Sequence, residues 1–165
     1  MHRQRQGFVA GGTKCYGLSR SAAALAAESL EDGCLLEDFN ADVAAACAAA
    51  GTEPVTRAVL QQIAREERSH AEFSWAVLAW TLERSPAPVR AAVAKSQRAL
   101  DAIARPRAVS RALWLSVARA DAASLRRHGR IPDQQLVPLW TERVAATRAR
   151  LQALLAQPCE LALVA

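Results

Sequence analysis

Aromatic residues are scarce in this chain of 165 residues: one Tyr, three Phe and four Trp make up 5% of it. Glycine and proline are scarce too, at seven each, and long stretches contain neither. That is too few for a sheet protein with many tight turns. The four cysteines, Cys15, Cys34, Cys47 and Cys159, include no pair at zinc-site spacing. Cys34 and Cys47 fall on one expected helix about 20 Å apart at helical rise, too far to bridge, so buried reduced thiols are expected. No apolar run is long enough to cross a membrane, and the charged N-terminus has no apolar core of the secretory kind. The expected location is cytoplasmic, with the start of the natural chain left open. What is abundant is alanine, 38 residues of it, within a chain that is 52% hydrophobic. Alanine favours helix and disfavours strand. Collagen-like, disordered and disulfide-scaffold classes are excluded and an all-β fold is disfavoured. One helical domain large enough to bury a core remains.

Acid is scarce in the second half. Eleven of the sixteen acidic residues precede residue 85, against eight of the 21 basic ones. The first half is therefore near −3 and the second near +8, which sums to the net +5. A site needing several carboxylates must draw mainly on the first half. The sequence pI near 9.6 raises nucleic acid as a partner, but the densest basic group, Arg126, Arg127, His128 and Arg130, has no interleaved aromatic. Nucleic acid is not expected as a partner, nor is a membrane.

Residues 1–18 hold four glycines and no period, and read as a flexible arm. Residues 19–157 read as one helical bundle and 158–165 as a tail. A first helix can start at Ser19 or Ser21 and end near Ala50, with Gly51 as its cap. Thr52-Glu53-Pro54 starts a second that runs to about Arg84, and the short link makes the two antiparallel neighbours. Ser85-Pro86 starts a third, broken or kinked near Pro106, with helical periodicity resuming over 107–128. A last helix starts between Asp133 and Pro138 and runs to about Ala156. The apolar stripes are Leu60, Ile63, Phe73, Val77 and Trp80 on the second helix, Trp114, Val117 and Leu125 after Pro106, and Leu136, Trp140, Val144, Leu151 and Leu154 on the last. The expected fold is all-α, a four-helix bundle.

The informative residues interrupt these stripes. His70 lies in line with Ile63, Phe73 and Val77, on what is expected to be a buried face. Glu67 lies one turn before it, and Glu66 is the other neighbouring acid. Glu-x-x-His places a carboxylate and an imidazole on one side of a helix, able to hold one ion. On the first helix Glu37 falls in a file with Leu30, Cys34, Ala41 and Ala44, where an isolated carboxylate is costly to bury. With the turn near residue 52, Glu37 and Glu67 are equidistant from it and stand at one height. Glu37, Glu67 and His70 are therefore the candidate metal ligands. The bland alternative is a polar core pair. Glu28 faces the opposite side, and Glu31 and Asp32 are expected in solvent.

The run Glu28-Ser-Leu-Glu-Asp-Gly-Cys34-Leu-Leu-Glu37, followed by Ile63-Ala-Arg-Glu-Glu67-Arg-Ser-His70-Ala-Glu-Phe-Ser-Trp75-Ala, resembles the ferritin-like superfamily. More narrowly, it resembles the rubrerythrin-related bacterial ferritin-like domain proteins. The resemblance covers residues 20–84. It implies a ferritin-like bundle in which Glu37 is the first-helix ligand and Glu67 with His70 the motif, with iron as the metal. Manganese and zinc suit the same donors. The family repeats this set on a second helix pair. Here the later acids are only Asp101, Asp121, Asp133, Glu142 and Glu160, with no second Glu-x-x-His. Asp121 lies on the Trp114–Val117–Leu125 face and Glu142 faces away from its helix's stripe, so both are weak ligand candidates. Three readings stay open. The chain holds a metal in a partial site, or two chains form a homodimer that completes a di-iron oxidoreductase or ferroxidase site, or it is a metal-free helical interaction module. In the di-iron reading Glu66 orients His70. The single Tyr16 lies in the arm, and no substrate or electron donor is named.

Overall fold

The computed structural model describes residues 21–102 and 121–157, and every element among them is helical. Helix α1 (Ala22–Glu28) opens on Ser21, whose hydroxyl accepts a hydrogen bond from the Ala24 amide. It passes without a break into a π-helical stretch, Ser29–Glu37, and then into α2 (Asp38–Ala50). The expected first helix is thus present, with a wider-wound middle. Gly51 ends it, and its amide returns to the Cys47 carbonyl at 2.8 Å. Glu53 caps α3 (Pro54–Arg84), its carboxylate accepting from the Val55 and Thr56 amides, with Pro54 in the first turn. α4 (Pro86–Ala102) follows at Ser85. Beyond residue 120, α5 (Ala122–Arg127) and the 3₁₀ turn Asp133–Gln135 lead into α6 (Leu136–Ala156). The break near Pro106, the Trp114–Val117 face, the arm 1–18, Tyr16, Cys15, Cys159 and the tail 158–165 lie outside the described residues.

The first helix and α3 form an antiparallel pair. α4 turns back along α1, and α6 packs against α2, the π stretch and α4. Leu30, Cys34, Leu35 and Phe39 meet Trp75, Leu78 and Leu82 of α3, Val89 and Val93 of α4, and Trp140 and Leu151 of α6. Phe39 and Trp140 meet edge to face, with ring centroids 5.0 Å apart. Cys34 and Cys47 are free, buried thiols, and burial pushes the Cys34 thiol up to about 12.

The α6 stripe is seated as its period predicts, with Trp140 and Leu151 buried and Leu136, Val144 and Leu154 partly so. The α3 stripe is not. Leu60 and Val77 are half-buried, but Ile63 is 37%, Phe73 71% and Trp80 47% exposed. The arc that α3 turns inward is Ala71, Trp75, Leu78, Thr81 and Leu82. α3 carries two adjacent apolar arcs, and helical period alone does not say which one the neighbours take. Close approach decides it. A Cβ on the buried Gly33 would lie 1.9 Å from Ser74 Oγ, so glycine there lets the π stretch sit against the Ala71–Ser74–Trp75 side of α3.

Candidate metal centre

Glu37 is the last residue of the π stretch, and Glu67 and His70 lie one turn apart in the middle of α3. One ligand atom from each of the three lies within 4.8 Å of the others. The expected equal height of Glu37 and Glu67 therefore brings them together. The expected burial does not hold. The His70 side chain is 65% exposed and that of Glu37 35%, because both stand at the edge of the helix pair beside the uncovered arc of α3. The rest of Glu37's file, Leu30, Cys34, Ala41 and Ala44, is buried.

Glu37 perturbs the Glu67 carboxyl. A hydrogen bond to Glu37, then burial and the Glu37 charge, push Glu67 up to about 7, with His70 opposing. His70 Nδ1 lies 3.6 Å from Glu37 Oε2, ion-pair range but too long for a hydrogen bond. Glu66, the expected orienting partner of His70 in the di-iron reading, accepts here from its own helix, from Gln62 Nε2 at 2.7 Å, and Gln62 in turn accepts from Arg65 at 2.6 Å.

Directly beneath the three donors lies a cluster that the sequence reading missed. Arg68, next to Glu67, donates to Asp38, next to Glu37, and to Asp42 at 2.6 Å. Arg143 of α6 reaches the same two carboxylates, Asp38 at 2.9 Å and Asp42 at 2.7 and 2.9 Å. Burial opposes the Asp42 charge, but the hydrogen bonds from Arg143 and Arg68 outweigh it and hold the carboxyl below its ordinary range. The turn arithmetic that sets Glu37 beside Glu67 sets Asp38 level with Glu66, two residues or about 3 Å of rise from Arg68, and the long Arg68 side chain spans that offset. Glu72 pairs with both guanidinium nitrogens of Arg150 at 2.5 and 2.7 Å.

The weaker candidates stand apart. Asp121 caps α5, its carboxylate accepting from the Ser124 amide at 2.8 Å, and Glu142 is exposed on α6. Glu37, Glu67 and His70 form the one group of three such side chains, among the described residues, with metal-site spacing. No described helix is long and apolar enough to cross a membrane. No protein-family model matches the chain, and neither the curated proteins nor the solved structures contain a match to it.

Proposed function

We propose that this chain is a metal-binding helical protein of ferritin-like, four-helix-bundle type, holding a transition-metal ion through Glu37, Glu67 and His70. Iron is the first candidate, and manganese and zinc suit the same donors. The observation that carries the reading is the meeting of three donors from two helices within 4.8 Å. Ligands at about 2.1 Å from one ion stand about 3 to 4 Å apart, so the three donors draw in by about 1 Å to close on it. The resemblance of the Glu37 and Glu-x-x-His segments to ferritin-like proteins points the same way. Two carboxylates and one imidazole leave coordination positions open, and bound iron would supply Fe(II)/Fe(III) chemistry at them.

The rival reading is a metal-free helical module in which the three side chains are only an edge polar cluster. Elemental analysis of protein purified without a histidine tag separates the two. One metal ion per chain, lost in Glu67→Ala, is the expected result. Metal-free protein that takes up no Fe(II), Mn(II) or Zn(II) on titration and keeps its full stability would sink the proposal.

A further inference from the structure

The uncovered arc of α3 has a regular pattern. Val59, Ile63, Glu66, His70, Phe73, Val77, Trp80 and Arg84 follow one another at alternating spacings of 4 and 3 residues. That is the a/d repeat of a coiled-coil seam, held over most of a 31-residue helix. Among the described residues this seam has no full partner. Val59 is 52%, Phe73 71% and Trp80 47% exposed, and Glu66 and His70 are exposed as well. Five large apolar side chains at seam spacing on the open side of a helix mark a binding face.

We infer that this face of α3 packs against the same face of a second copy of the chain, antiparallel, about a two-fold axis near Arg68. The occupant follows from the order of the residues. In an antiparallel pair each a position meets a d position of the other helix. An axis near Arg68 sets Ile63 against the partner's Phe73, Val59 against the partner's Val77, and Glu66 against the partner's His70. Four of the five apolar positions then meet an apolar one, Trp80 falls opposite the partner's Thr56, and the one acid of the seam meets its one histidine. A face that complements itself from Val59 to Val77 fits an isologous contact. The central Glu66–His70 layer fixes the register, as isolated polar layers do in coiled coils.

The same axis sets two Glu37–Glu67–His70 clusters across from one another. Their carboxylates rise from two to four, and Glu66 stands against the imidazole of the other copy rather than its own. The seam rests on the α3 stripe alone. Its role in completing the site rests on the metal reading proposed above.

Sedimentation equilibrium of the full chain, with and without Fe(II), tests the seam. A mass of two chains is expected for the wild type, and of one chain for Phe73→Glu with far-UV circular dichroism unchanged. Phe73 is the most exposed of the stripe and contributes least to the chain's own core, so Ile63→Glu serves as a second variant should Phe73→Glu fold poorly. Register is read by oxidation. The double variant Ile63→Cys with Phe73→Cys forms a covalent dimer, whereas each single variant behaves as the wild type. A monomeric wild type under both conditions overturns the inference, as would follow were residues 103–120 of the same chain to occupy the face. Dimers cross-linked by the single variants overturn the antiparallel register. A dimer that binds no metal leaves the seam standing and removes the metal reading. A monomer that binds metal does the reverse.

Discussion

Glu67 is the side chain on which the chemistry of the centre turns. Its carboxyl is pushed up to about 7, first by its hydrogen bond to Glu37. A carboxyl raised in the fold favours the folded state while protonated. That advantage is complete below the ordinary glutamate range and is lost as pH rises toward 7, where the metal-free protein must carry two facing carboxylates. In the proposed metal-bound state a cation takes the place of that shared proton. Metal uptake near pH 6 therefore releases about one proton, and apparent affinity falls up to about tenfold per pH unit below 7. Calorimetric titration in buffers of different ionisation enthalpy measures the release, which should shrink well above pH 7. In Glu37→Gln the part of the release that comes from Glu67 should disappear, because Glu67 loses the partner that raises it. All three donors were legible in the sequence, since their convergence needs only helical spacing and a turn near residue 52. The exposure of His70 was not. The stripe of Ile63, Phe73 and Val77 identifies an apolar face, but the face that neighbours cover is set by packing elsewhere in the chain.

Between Ser29 and Glu37 the first helix departs from α geometry, and nothing in the composition of SLEDGCLLE announces it. The element bounds around it were legible because their signals are local: Ser21, Gly51, Glu53-Pro54 and Ser85-Pro86 each act within a few residues. The π stretch includes a close contact with a residue more than 35 positions away, where Gly33 meets Ser74. A methyl group at Gly33 would lie 1.9 Å from Ser74 Oγ and 2.2 Å from its Cβ, so the helices must part. Gly33→Ala should cost about 2 kcal/mol in urea denaturation. It should also weaken metal uptake, since Glu37 lies four residues on and moves with the helix. Ser74→Ala should not rescue it, because the Ser74 Cβ collision remains. Restored stability in the double variant would show that the hydroxyl alone sets the spacing.

At the scale of the whole molecule, two arginine pairings of similar length should differ in strength. Arg150 and Glu72 are bidentate but 45% and 54% exposed, and such pairs contribute about 0.5 kcal/mol. Arg143 is 17% exposed and bonds Asp38, whose side chain is only 5% exposed, and Asp42. Removing it strands buried charge, which costs about 3 kcal/mol even with Arg68 left to share it. The cluster ties α6 to the pair that carries Glu37 and Glu67, so one contact serves both the fold and the height of the donors. Sequence alone did not reveal it, because a contact between residues 38 and 143 has no local pattern, and Asp38 and Asp42 resemble any exposed i, i+4 pair. Arg143→Met should therefore lower stability by about 3 kcal/mol, against about 0.5 kcal/mol for Glu72→Gln, both read from urea midpoints. The pH dependence carries the sign. Asp42 is held below its ordinary range, so its contribution is present above that range and lost as pH falls through it. The gap between wild type and Arg143→Met should accordingly be full at neutral pH and narrow in acid, whereas a loss due only to the missing aliphatic packing of Arg143 would be the same at both.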